Sequence, residues 1–227
     1  MLILIPSSSF GDIGFLQNFE SGSLGLSCNA IEGTNAVCTI SSTVAHSGTY
    51  SLKTDVTTAG GNAFITIGGV DGGFSDSIYV RFYVYISSAM VASMTGGEYY
   101  DFFHCTDTGY GIVWIAGLSG DAKFRIDADD FGGEDVGTVV ADTWYCLEFY
   151  CDQDASAGVI TMWIDGIQVK TETSLNTGAD GFHFRIGGGG WWSDGITGEM
   201  YIDDFIVDTK YIGTGYRIQD TGRCGSR

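Results

Sequence analysis

Two adjacent tryptophans, Trp191 and Trp192, follow four glycines in the stretch GGGGWWSDG. Indole faces stack on sugar rings through apolar area, and loops held on a rigid scaffold are where binding residues concentrate. The competing use of such rings is to plug the end of a core or a subunit interface. Tyr79, Arg81, Tyr83 and Tyr85 recur at every second residue, so a strand would present all four on one face. Arg125, His183 and Arg185 are candidates to join them across a sheet. Phenols and guanidinium groups also simply cover a sheet, stems packed and tips wet. A nucleophile finds no base: Cys105 follows His104 and Ser47 follows His46, but strand neighbours point to opposite faces. Three histidines give no evident metal triad. Asp127-x-Asp129 with Gly132 opens like a helix-loop-helix calcium loop, yet Phe131 and Thr138 stand at its fifth and twelfth positions. It reads as an acidic turn. Glu148 shares a strand side with Trp144 and Tyr150, without a second glutamate in register, and reads as a structural acid.

The elements that must position these groups are strands. Apolar residues alternate with period two, and no stretch shows a period-3.6 stripe over three turns. In residues 77–87, Val80, Phe82, Val84 and Ile86 form the core face and the Tyr/Arg stripe the other. Residues 123–129 repeat the pattern, and 158–165 and 167–170 flank Asp165-Gly166, a hairpin signal because both positions tolerate positive φ. Further strands are expected at 50–56, 63–67, 111–115, 143–151, 181–186 and 199–207, about ten in all at the spacing of a sandwich or barrel. With 35 glycines and one proline among 227 residues, no repeat and no linker, the chain reads as one all-β domain at residues 15–213. Residues 1–14 form an apolar strand or arm, and the aperiodic stretch 214–227 trails over the surface.

The net charge of −18 repels phosphate backbones and anionic membranes, which argues against nucleic acid. Uronate-rich polymers meet the same barrier, whereas neutral sugars and divalent cations do not. No apolar run reaches the roughly 20 residues of a spanning helix, so no membrane insertion is expected. MLILIP at the start lacks the basic segment and length of an export signal. Six cysteines on a chain built for the outside imply at least one disulfide, with Cys28 and Cys38, flanking a small polar loop, as the best pair to close a hairpin. Cys146 and Cys151 lie an odd number of residues apart and face opposite sides of one strand.

Four segments stand in order: Asn18-Phe19-Glu20-Ser21-Gly22, His46-Ser47-Gly48-Thr49-Tyr50-Ser51-Leu52-Lys53, Thr143 to Glu148 with Trp163-Ile164-Asp165-Gly166, and Tyr201-Ile202-Asp203-Asp204-Phe205-Ile206-Val207. Together they resemble the concanavalin A-like superfamily, in its laminin-G-like and lyase-like branches, and the related calcium-containing carbohydrate-binding jelly rolls. The resemblance implies a two-sheet antiparallel jelly-roll sandwich whose first and last strands are neighbours. It also implies that Glu20 meets Asp203 or Asp204 around a structural calcium ion, hard oxygen donors being what calcium takes. The superfamily's hydrolases carry Glu-x-Asp-x-x-Glu, because retaining hydrolysis needs two carboxylates about 5 Å apart on one face. No glutamate here has aspartate two residues later. Its lyases neutralise a uronate with arginine and use Tyr or His as acid and base, which is the catalytic use the Arg81 stripe would have; the lyase motifs themselves are missing.

The reading that follows is a non-catalytic recognition module binding a glycan, neutral sugars first, through Trp191 and Trp192 with help from Tyr79, Arg81, Tyr83 and Tyr85. The alternatives are a structural or decorating subunit of a virion or extracellular assembly, including a homo-oligomer, and a polysaccharide lyase or glycoside hydrolase. With Met1 as the natural start, a surface-type fold made without an export signal fits a virion component released by lysis; with Met1 added to an excised domain, secretion to the cell exterior is expected.

Overall fold

The computed structural model describes residues 15–24, 28–32, 35–67, 77–94, 99–105, 115–119, 122–127, 132–177, 184–189 and 195–215. The terminal arm, the outer part of the tail, His183, Asp129, Phe131 and the pair Trp191 and Trp192 lie outside the described residues.

In chain order the strands are β1 (Phe15–Gln17), β2 (Cys28–Glu32), β3 (Ala36–Ser41), β4 (Ser51–Val56), β5 (Ala63–Ile67), β6 (Ser77–Ile86), β7 (Tyr99–His104), β8 (Ile115–Ser119), β9 (Lys123–Asp127), β10 (Glu134–Thr138), β11 (Trp144–Asp152), β12 (Gly158–Ile164), β13 (Ile167–Leu175), β14 (Phe184–Gly189) and β15 (Gly198–Asp208). One short helix, α1 (Ser88–Ser93), is capped by the Ser87 hydroxyl, which accepts from Met90 N. Two antiparallel sheets stack. Sheet A runs β13-β12-β11-β6-β15-β4-β3, with β1 also on β15; sheet B runs β10-β9-β8-β7-β14-β5-β2. This is the expected sandwich, and β1 and β15, first and last among the described strands, are neighbours.

The core lies between the sheets and is aromatic. Phe82 of β6 packs on Phe102 and Phe103 of β7, Phe149 of β11 and Phe205 of β15, all essentially without exposure. Alternation explains most of it: in β6, Ile78, Val80, Phe82, Val84 and Ile86 face inward and Tyr79, Arg81, Tyr83 and Tyr85 outward. The Asp165-Gly166 turn between β12 and β13 takes φ of 51° and 79°, the left-handed pair that a two-residue hairpin requires.

One expectation is corrected. Cys28 and Cys38 do not close a hairpin, because β2 belongs to sheet B and β3 to sheet A, so the chain crosses between layers there. Cys38 Sγ donates to Ala63 O at 3.0 Å and lies 3.3 Å from Thr54 Oγ1; the Cys28 side chain is outside the described residues. No disulfide is present among the described residues.

Candidate functional site

The two sheets present two outward faces, and the residues singled out by type divide between them. On sheet A, β11 sets Glu148 directly opposite Arg81, Tyr150 opposite Tyr79 and Cys146 opposite Tyr83. Arg81 is 0% and Glu148 2% exposed. The cover is the protein's own chain after β15. Ile212 N and Gly213 N donate to the two oxygens of Glu148 at 2.7 and 2.9 Å, and Arg81 Nη1 donates to Gly213 O at 2.8 Å. Tyr211 settles among Tyr79 and Trp163. Burial raises the Glu148 pKa, while the two N–H donors and the Arg81 charge oppose that rise. Further along the same face the His46 ring stacks on Tyr83 at 3.4 Å, and burial pushes the Tyr83 phenol up to about 12. Tyr85 donates to Asp142 at 3.0 Å. The stripe faces outward as its spacing predicts, but Arg81 is beyond the reach of a ligand, since the chain itself has filled the place beside it.

The three acids expected at calcium all grip one loop. Glu20 accepts from Thr49 N and Tyr50 N at 2.9 and 2.8 Å. Asp203 accepts from His46 N at 2.9 Å and Ser47 N at 3.1 Å. Asp204 takes Ser47 Oγ and sits 2.8 Å from His46 Nδ1. Asp204 has φ of 51°, at a bulge in β15 that lets two successive acids turn toward the loop. Gly48 must be glycine: its φ is 61°, and a Cβ would come 2.4 Å from the Glu20 carboxyl. Asp203, fully buried beside Asp204, is pushed up to about 8 by that burial and then by the neighbouring charge. Buried, adjacent carboxylates are suited in chemistry to a hard cation, although among the described residues no three ligating groups converge on a common point.

On sheet B the outward side chains are half-buried. Arg125 and Arg185 project there, on the opposite layer from Arg81, so they cannot extend the Tyr/Arg stripe. Arg125 Nη2 donates to Gly132 O at 2.7 Å, its other nitrogens reach Asp127 and Asp135 at 3.3 and 3.4 Å, and its guanidinium lies 4.9 Å from the Tyr99 ring centre. Gly117 stands between Arg125 and Asp101 in register, so no side chain rises between them. Asp101 is pushed up to about 7, chiefly by burial, then by Asp127, against the pull of Arg125. Arg185 pairs across the strands with His104 on one side and Thr66 on the other, and Phe64 meets the His104 ring edge-on at 5.3 Å. Among the described residues, Lys123 and Arg125 pair with Asp127 and Asp135 on this face, in a chain whose net charge is −18. The face offers two aromatic rings, a guanidinium and a carboxyl poised near neutrality, which can stack on, hydrogen-bond to and exchange protons with a polyhydroxylated ligand.

Sequence reasoning missed Tyr99, Asp101 and Phe64, and set His104 aside as a failed nucleophile partner. In YYDFFH both Phe102 and Phe103 are buried, through a register shift between Asp101 and Phe103. That shift breaks the alternation by which the strand would have been found.

No family model matches the sequence, and no curated protein sequence matches it. Solved structures do share the fold. The cellulose induced protein Cip1 superposes with a TM-score of 0.65 at 17% identity, covering 88% of this chain and all of that one. An endo-beta-1,4-glucuronan lyase from Trichoderma reesei gives 0.66 at 17%, covering 87% and 96%. The binding domain of Paraclostridial Mosquitocidal Protein 1 gives 0.58 at 12%; the match spans 88% of this chain and 49% of that one. The chain has the concanavalin A-like jelly-roll fold.

Proposed function

We propose that the chain is a non-catalytic recognition module that binds a glycan on the outward face of sheet B. The observation that carries this is local: on sheet A the protein's own strap fills the place beside Arg81 and Glu148, between the part-exposed Tyr79 and Tyr83, whereas sheet B sets the part-exposed Tyr99, Asp101, His104 and Arg185 on neighbouring strands. The strand pairing also places Gly189, two residues before Trp191 in sequence, beside Asp101. Trp191 and Trp192 remain part of this proposal.

Tyr99→Ala and Arg185→Ala are each expected to weaken binding to a glycan array about tenfold, the loss of one stacked ring or one charged hydrogen bond, with little change in melting temperature. Trp191→Ala and Trp192→Ala should behave alike. Neutral polysaccharides are expected to bind ahead of uronates, given the overall charge. Unchanged binding in all four variants would refute the assignment of the face.

A polysaccharide lyase is the second reading, favoured by a carboxyl held at about 7 beside Arg125 on the face that also carries His104 and Arg185. The recognition reading expects no unsaturated product, followed by its ultraviolet absorbance, from glucuronan or other uronate polymers. Product formation abolished by Asp101→Asn would establish the lyase instead.

Glu20, Asp203 and Asp204 are also proposed to hold calcium, on the chemistry of the donor set. Removing calcium with a chelator should lower the melting temperature by several degrees and adding it back should restore it, since a ligand of the native state alone stabilises by mass action. Glu20→Ala should abolish the response, and a melt indifferent to chelator would refute the site.

A further inference from the structure

Aromatic contacts join the two sheets across the core, and one line of them ends in sulfur. Phe103 of β7 stacks on Phe149 of β11, with ring centroids 5.1 Å apart and planes 26° from parallel. Two residues further along each strand direction come Cys105 and Cys151, 1% and 2% exposed and both within the same core. A two-residue step advances an extended chain by roughly 6.6 Å and returns the side chain to the same face. Cys105 lies just past the end of β7, and its thiol meets that of Cys151 across the core. The sulfurs are in hydrogen-bonding contact, which together with burial pushes the Cys105 thiol up. Cys146, on the same strand as Cys151, faces the other way, toward Tyr83 and Arg81.

We propose that Cys105 and Cys151 form a cross-sheet disulfide site, so that the domain has an oxidised form in which β11 of sheet A is bonded to the chain just after β7 of sheet B. A small disulfide such as oxidised glutathione supplies the oxidant. One protein thiolate attacks a reagent sulfur, forming a mixed disulfide and expelling one glutathione thiolate; the second protein thiolate then displaces the other. The two cysteines lose two protons and two electrons, and the reagent is reduced to two thiols. Because both sulfurs are buried, exchange proceeds while the chain folds or when the core opens, not on the closed native protein. The bond would close a loop holding β8, β9 and β10, which restricts the unfolded chain.

The full chain is refolded from denaturant in a glutathione redox buffer and, in parallel, with excess reductant. Exposed thiols are alkylated under denaturing conditions, and the unreduced digest is mapped by mass spectrometry. The expected result is a peptide pair joined through Cys105 and Cys151, lighter by two hydrogens and absent from the reduced sample, in a protein that melts higher than its reduced form. Both cysteines recovered alkylated, either one joined to a different cysteine or retained as a glutathione adduct, or a linked form that melts no higher, would overturn the proposal. A Cys105→Ala, Cys151→Ala variant should melt identically in both buffers; the map of the unaltered chain decides the matter even if that variant does not fold.

Discussion

Arg81→Ala is expected to destabilise the domain by about 3–5 kcal/mol, read as a lowered midpoint of urea denaturation with an unchanged slope. The size comes from what is left behind. Glu148, 2% exposed in the parent, loses the cation opposite it and keeps only the Ile212 N and Gly213 N donors on its oxygens. The strap also loses the donor to Gly213 O. Glu148→Gln in the same background should recover much of the loss, since it removes the stranded charge and keeps one acceptor. Hydrogen exchange at Ile212 and Gly213 supplies an independent reading, because both amides should lose protection when Glu148 is replaced by alanine. A midpoint shift below about 1 kcal/mol for Arg81→Ala, the range of an exposed ion pair, would mean that the pair does not hold the strap.

Stability should also fall as pH rises from about 4 to about 8, Asp203 and Asp101 both contributing, and the Asp101 share is the one a sheet B variant isolates. The folded Asp101 value of about 7 lies above its ordinary 3.8, so between the two the native protein keeps a proton that the unfolded chain has released. Unfolding is therefore favoured by each step upward in pH; the Asp101 contribution levels off above pH 7, while that of Asp203 continues to about pH 8. With solvent screening at a part-exposed group, the Asp101 share is on the order of 2 kcal/mol. Asp101→Asn should flatten this part of the profile and make the protein more stable than the parent at pH 8. Parallel profiles for parent and variant would show that the sheet B face does not strain this carboxyl.

Much of the fold was legible because period-two alternation is a strong signal wherever a strand has one buried face. The β6 stripe and β9 have the faces their spacing assigns, and the β12–β13 hairpin turns at Asp165-Gly166 as expected. The strands β1, β2, β3, β7 and β10 were not foreseen. β10 has no buried residue to mark a face, and β7 buries two successive phenylalanines at a bulge. The site was less legible for a different reason. Periodicity tells which side of a strand Arg81 occupies, but not that residues 211–213, far off in sequence, lie across it. Nor does it tell which of two sheets a strand joins, so Arg125 and Arg185 were grouped with the stripe of the opposite layer.

The strand order has a consequence for how the protein is made. β14 lies between β7 and β5 in one sheet, and β15 between β6 and β4 in the other, although these two are the last of the described strands. While a ribosome is still short of residue 184, sheet B consists of β10-β9-β8-β7 and β5-β2 with a gap between them; sheet A stays split in the same way until 198–208 emerge. Each half then carries an unpaired inner edge and half a core. Pairings this distant are slow to form, and edges left open that long are a route to aggregation. The nascent chain thus has no stable way station, and the domain closes in a single late step.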